Sequence, residues 1–379
     1  MAGIYIHIPF CKQACSYCDF YFVTRDQLKE SFLDSLIEEI KYLGKTEYSN
    51  EPIETIYIGG GTPSLLTLKQ IERIFKELES SFELKFNEVT IELNPDDVTP
   101  DYLRGLKDLG VNRASMGIQS FHPELLSFMN RAHTSGEAEY ALDSLHKAGF
   151  TSFTVDLIYG NPGQTEEMLK KDIHMLLKHQ PPHISAYSLT IEKNTRLGKQ
   201  VDLGRIKPPD DDLVASHFDI VIEELEKVGI LQYEVSNFSV PGKEALHNSK
   251  YWKHENYLGL GPAAHSFWRG DSGTTRWQNK RDISLYIEEE PKNYQTEIEM
   301  LEKSALAEER LFLGLRTKWG VDLNQLSKEY EYKFNTDQRK WVESQKAKGI
   351  IIQDGNSIKL SREGLKIADL LLVDLLSKQ

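Results

Sequence analysis

Up to about residue 230 the chain alternates short β-rich segments with longer helical ones, and this alternation limits the possible fold more than any other feature. Strands are predicted near 4–8, 54–58, 88–93, 113–118, 153–158 and 183–189, and helices near 26–43, 66–80, 100–109, 135–148, 164–178 and 210–228. Repeated βα units make a parallel sheet, and the fixed hand of their crossovers lets six of them roll into an open barrel. The predicted fold class is α/β, a partial (β/α)6 TIM-like barrel over 1–234. Thr67 and Thr134 stand where helix N-caps belong, and Gly110 and Gly149 where helices should end.

From about 235 the pattern breaks into sequence rich in Gly, Asn, Trp and Tyr, so 235–300 reads as a connecting segment. Helical periodicity resumes through Ala305 to Leu315, followed by a polar turn at Asp354-Gly355-Asn356-Ser357 and a final helix after Leu360. That order predicts a smaller, mainly helical, winged-helix-like domain over 301–379. It carries no basic stripe, so packing or partner docking is expected of it before DNA binding.

Charge and cysteine usage narrow the function. With 45 basic and 58 acidic residues the formal net charge is -13, which gives no general attraction to phosphate backbones, so nucleic acid is not an expected partner. The only three cysteines fall between positions 11 and 18, which excludes a secreted disulfide framework and points to the cytoplasm. The first apolar stretch, Gly3 to Phe10, alternates like a strand and not like a signal peptide, and any membrane contact is expected to be peripheral.

Those cysteines, Cys11, Cys15 and Cys18, lie in one loop directly after the first strand, where barrel active sites sit. Thiolates suit iron-sulfur ligation, and three of them leave one iron of a cubane open to another ligand. Reduced free thiols, or zinc with His7 as fourth ligand, are the alternatives, but zinc loops usually recruit a distant second cysteine pair, which this sequence lacks. Strand parity adds an independent signal. In Val89–Leu93, Arg113–Gln119 and Phe153–Leu157 the apolar residues take one parity, while Glu92, Gln119 and Asp156 take the other near the strand ends. An unpaired carboxylate inside a covered sheet is costly, so a ligand site, or ion pairing with a residue such as Arg131, is expected there. Gly259-Leu260-Gly261-Pro262-Ala263-Ala264 looks superficially like a dinucleotide fingerprint, but its proline and late position favour a tight loop approaching a cofactor.

CxxxCxxC after a first strand, with Tyr17 before the third cysteine, resembles the signature of radical S-adenosylmethionine (SAM) proteins. Tyr5 to Cys11 together with Gly59-Gly60-Gly61-Thr62-Pro63 resembles the oxygen-independent coproporphyrinogen oxidase family, over most of the chain. The resemblance implies a 4Fe-4S cluster on the three cysteines. It also implies SAM on Tyr5, Tyr17, Gly60, Gly61, Thr62, Glu92, Gln119, Arg131 and Asp156, of which Gln119, Arg131 and Asp156 look like the set for a second SAM in some members.

Two departures redirect the functional expectation. The oxidases place a fourth cysteine where this chain has Phe20, and they carry an N-terminal extension where only four residues precede Tyr5 here. Both departures resemble the heme chaperone branch of the same family, as does His247-Asn248-Ser249-Lys250-Tyr251-Trp252, its HNxxYW motif. That resemblance implies heme as cargo, with His247 as iron ligand or attachment point and the Tyr and Trp against the macrocycle; His254 and His265 are alternative ligands. The expected partners are heme, heme-accepting respiratory proteins and a second copy in a homodimer. The rival expectations are a radical enzyme oxidising a tetrapyrrole, against which Phe20 argues, and an RNA-modifying enzyme, against which the charge argues.

Overall fold

Six parallel strands follow one another in chain order through the centre of the structure, a computed structural model that describes residues 1–378. They are β1 (Ala2–Ile8), β2 (Ile53–Gly60), β3 (Leu84–Leu93), β4 (Arg113–Gln119), β5 (Phe153–Tyr159) and β6 (His183–Ser188), each hydrogen-bonded to the next. The predicted βα barrel is therefore present. Helices cover its outer face by ordinary amphipathic logic. In the helix Lys29–Leu43, residues Phe32, Leu33, Leu36 and Ile40 are buried at helical spacing in the same core as Ile4, Ile6 and Ile8 of β1.

The punctuation is where the residue types place it. Thr67 and Thr134 each form a capping box, with Gln70 and Glu137 respectively, and Gly110 and Gly149 close helices with φ of 97° and 78°. The helices Pro123–Phe128 and Arg196–Asp202 were not predicted, being too short for a 3.6-residue period to register.

The stretch read as a connection also builds sheet. β7 (Leu231–Gln232) and β8 (Asn237–Ser239) extend the sheet beyond β6, while β9 (Tyr257–Leu260) lies parallel beside β1. Next to β9 come the antiparallel β10 (His265–Gly270), β11 (Gly273–Asn279) and β12 (Gln295–Leu301). The result is one open twelve-stranded sheet with β12 and β7 at its edges. These strands escape sequence reading because their partners are remote, Gly3 pairing with Tyr257 for example.

The C-terminal unit has its own core around Leu311, Leu326, Trp341 and Leu372. Helices Lys303–Gly314, Leu323–Tyr330 and Thr336–Ala347 precede the hairpin β14 (Ile351–Asp354) and β15 (Ser357–Leu360), with the short β13 (Val321–Asp322) paired to β15. This is the winged-helix-like arrangement expected, with the polar turn forming the hairpin and Gly355 supplying its positive φ of 56°. Arg362 and Lys366 pair with Asp219 of the barrel helix Asp211–Glu226. Among the described residues no helix is long and apolar enough to cross a membrane.

Candidate cofactor cavity at the barrel mouth

The C-terminal ends of the parallel strands surround one cavity of about 940 Å³, at the upper end of the roughly 300–1,000 Å³ range of small-molecule sites. Its lining includes all three cysteines and Tyr5, Tyr17, Gly60, Gly61, Thr62, Glu92, Gln119, Arg131 and Asp156. His247 is not on its wall.

The cysteine loop is clamped at its base and its tip. Val23 N–H donates to the Pro9 carbonyl (2.6 Å) and Cys11 N–H to the Val23 carbonyl (3.0 Å). At the tip, Ser16 N–H reaches the Met129 carbonyl (3.0 Å), and Gln13 and Asn130 exchange side-chain bonds with backbone carbonyls across the gap. Asn130 takes a left-handed conformation, φ 55°, which only a few residue types tolerate. The next residue, Arg131, turns inward and donates to Cys15 Sγ (3.4 Å), Asn94 Oδ1 (2.9 Å) and the Gly117 carbonyl (2.8 Å). Thr62 Oγ1 donates to Cys11 Sγ (3.6 Å).

No disulfide joins the thiols, and all three are partly buried. Burial pushes the Cys11 and Cys18 thiols up to about 11, so without a metal both stay protonated and weakly nucleophilic. Iron would deprotonate them outright. Among the described residues no His, Cys, Asp or Glu group closes around a single metal ion. Thiols that each take a different iron of a cubane need no such convergence, so three free thiols on one wall, two of them accepting hydrogen bonds, fit a cluster.

The glycines do two jobs. A Cβ on Gly61 would meet the Phe10 carbonyl oxygen at 2.7 Å and Cys11 Sγ at 3.0 Å, and one on Gly60, whose φ is 109°, would meet the His7 ring at 2.6 Å. The Gly60–Thr62 turn thus packs against the cysteine loop, and Gly61 N–H donates to the Ile8 carbonyl (2.8 Å). Gly60 N–H donates to Glu92 Oε2 (3.1 Å), and Tyr57 Oη donates to Glu92 Oε1 (2.7 Å).

Glu92 and Asp156 share the cavity floor. Burial, with Asp156 adding repulsion, pushes Glu92 up to about 7, and burial pushes Asp156 up to about 6. Among the described residues, Gln119 Oε1 and Arg131 Nε are buried there with no hydrogen-bond partner. Such orphans are rare unless a ligand completes them. Two reluctant carboxyls beside an under-used guanidinium suit a zwitterionic ligand with hydroxyl groups, whose ammonium and carboxylate each find an opposite charge. The residues present therefore fit SAM as well as the cluster. His7 is neutral, its pKa lowered to about 4 chiefly by burial. Its Nε2–H donates to the Tyr21 carbonyl (2.8 Å), and its Nδ1 accepts from Tyr5 Oη (3.0 Å).

Further inward-facing residues line the cavity beside those that the sequence pattern marks. Tyr57 on β2, Arg113, Ser115 and Gly117 on β4, Thr154 on β5, and Ser185 and Tyr187 on β6 share the inward parity and line the cavity, as does Asn94 just beyond β3. Of the Gly259–Ala264 segment, Gly259 and Leu260 end β9, and Gly261 to Ala264 form the tight turn to β10, where Gly261 has φ of 93° and approaches the His7 carbonyl.

His247 lies beneath the cavity, on the helix Leu246–Lys253, with 0% of its surface exposed. Its Nδ1 is bonded to Thr55 Oγ1 (2.8 Å) and its Nε2 to Tyr251 Oη (2.7 Å), while Tyr57 packs on the ring at 5.4 Å. The helix has no side-chain N-cap of its own. Glu88 of β3 accepts from Leu246 N–H (2.8 Å) and His247 N–H (3.1 Å) instead. Of the HNxxYW motif, Asn248 and Tyr251 reach the cavity wall.

Comparison with known proteins agrees with this geometry. Residues 5–176 match the Radical SAM superfamily, and residues 301–367 the HemN C-terminal domain. The chain is 35% identical to the heme chaperone HemW of Lactococcus lactis, over 96% of this chain and 94% of that protein, and 34% identical to the heme chaperone HemW of Bacillus subtilis, over 96% of each. Coproporphyrinogen III oxidase (HemN) from Escherichia coli shares the fold, with a TM-score of 0.84 at 23% identity, covering 99% of this chain and 89% of that one. Matched along nearly its whole length at this identity, and built around a three-cysteine barrel mouth, the chain belongs to the HemW family of heme chaperones within the radical SAM superfamily.

Proposed function

We propose that this protein carries heme and passes it to heme-accepting respiratory proteins, while keeping the iron-sulfur and SAM site of its superfamily. The observation that carries the reading is the end-to-end match to proteins named as heme chaperones. Cys11, Cys15 and Cys18 would hold a 4Fe-4S cluster, and Tyr5, Tyr17, Gly60, Gly61, Thr62, Glu92, Gln119, Arg131 and Asp156 would hold SAM. When bound, such a cluster would supply one-electron reducing chemistry toward SAM. The chain's own residues position that pair: Arg131 donates to Cys15 and orients the loop, and the carboxyls of Glu92 and Asp156 set the charge of the floor. Phe20, at the place of the oxidases' fourth cysteine, is 70% exposed at the mouth, an apolar surface suited to a flat macrocycle and no further metal ligand.

Titrating heme into the cluster-reconstituted protein and following its absorbance tests the reading. Saturable one-to-one binding is expected. A linear, unsaturating response, together with SAM-dependent anaerobic conversion of coproporphyrinogen, would assign the protein to tetrapyrrole oxidation instead.

A further inference from the structure

The chain has 11 histidines, and only His7 and His265 line the cavity. Both nitrogens of His7 are engaged, as are both of His247 below the floor. His254, the other candidate, is 6% exposed and bonded to Glu309 and Arg269. His265 differs from all of them. It opens β10, where its backbone pairs with Gln278, and its exposed ring has no hydrogen bond, ion pair or ring contact among the described residues. Its backbone packs closely on Gly259, where an added Cβ would meet the His265 carbonyl oxygen at 2.1 Å.

Two neighbours complete a surface around it. Arg281 lines the same mouth and donates to the Asp19 carbonyl (2.6 Å), and among the described residues it has no carboxylate partner. By contrast, the cavity's Lys12 pairs with Asp96 and Asp97, and Arg113 with Glu88. The carbonyl that Arg281 grips adjoins Phe20, which places an unpaired guanidinium beside an exposed aromatic ring. In a chain of net charge -13, such a cation is a local attraction for an anionic ligand.

We infer that heme is received at the outer mouth of this cavity, with His265 as the axial ligand to its iron, Arg281 facing a propionate and Phe20 against the macrocycle. The inference rests on the heme-carrier reading and locates its cargo. An imidazole with a free nitrogen can ligate without prior unfolding, whereas His247 would first have to leave Thr55 and Tyr251. Partial desolvation lowers the His265 pKa, which favours the neutral, ligating form. A mouth site is also open to an acceptor protein, as delivery requires.

The test uses the full-length, cluster-reconstituted protein titrated with ferric heme, with ligation read by absorbance and electron paramagnetic resonance. His265→Ala and His265→Gln are expected to lose the histidine-ligated signature and to weaken binding by about tenfold or more, with iron content and SAM binding unchanged. Added imidazole should restore the signature in His265→Ala. Arg281→Ala should weaken binding without changing the signature. If both His265 variants keep the wild-type spectrum and affinity, the assignment is overturned while the carrier reading stands, and Tyr187, exposed on the same wall, becomes the next ligand to examine. If wild type binds no heme, both fall.

Discussion

The cavity wall and the HNxxYW helix beneath it are both rich in buried polar groups, and they treat those groups oppositely. Around His247 every hydrogen-bonding demand is met from within: Thr55 and Tyr251 take the two ring nitrogens, and Glu88 takes the first N–H groups of the helix. On the wall, Gln119 Oε1 and Arg131 Nε have no partner, and two carboxyls are held together against their repulsion. Polar groups satisfied from within maintain the fold. Those left unsatisfied at a barrel mouth wait for a ligand, and the energy lost in leaving them so is recovered on binding.

This contrast can be broken most sharply at Cys15. Cys15→Ser should abolish retention of the full iron-sulfur chromophore, measured by iron content and absorbance, while changing the unfolding free energy of the metal-free chain by less than about 1 kcal/mol. His247→Ala should do the reverse, costing about 4 kcal/mol in denaturant unfolding, because it opens a cavity and strands the Thr55 hydroxyl. A stability near wild type for that variant would remove His247 from the framework and return it to the ligand candidates.

Glu39 sharpens the same comparison through pH. It is fully buried, bonded to Gly261 N–H, Asn279 and Tyr286, and burial pushes its carboxyl up to about 7 from an ordinary 4.5. The unfolded chain therefore releases this proton first as pH rises. Glu39 withdraws stability progressively between about pH 4.5 and 7, by up to roughly 3 kcal/mol. In Glu39→Gln that component of the pH dependence should disappear, and parallel stability curves for the two proteins would contradict the assignment. The smallest effect on stability is expected at Gln119, whose φ of 68° asparagine also tolerates. Gln119→Asn should change the unfolding free energy by less than about 1 kcal/mol yet weaken SAM binding by about tenfold in equilibrium dialysis.

Much of this architecture is legible in the sequence. The βα alternation gives the barrel, because helix and strand periods are local properties, and the inward parity of Glu92, Gln119 and Asp156 marks its lumen, because strand side chains alternate. What local pattern cannot express is which distant segment joins an edge: β9 sits beside β1 only because residues near 3–6 meet residues near 257–260. Nor does local pattern express which histidines a fold buries. His247 has the more distinctive sequence context, yet it is sealed by Thr55, Tyr57 and Tyr251, while His265 follows an unremarkable turn and faces the cavity.

The central claim, that this barrel carries heme rather than transforming a tetrapyrrole, is tested most directly by mixing the heme-loaded, cluster-containing protein with a heme-depleted respiratory acceptor and following the acceptor's absorbance and activity. Recovery of both, at the expense of heme on the carrier, is the predicted result. Retention of heme by the carrier while the acceptor accepts free heme normally would contradict the account.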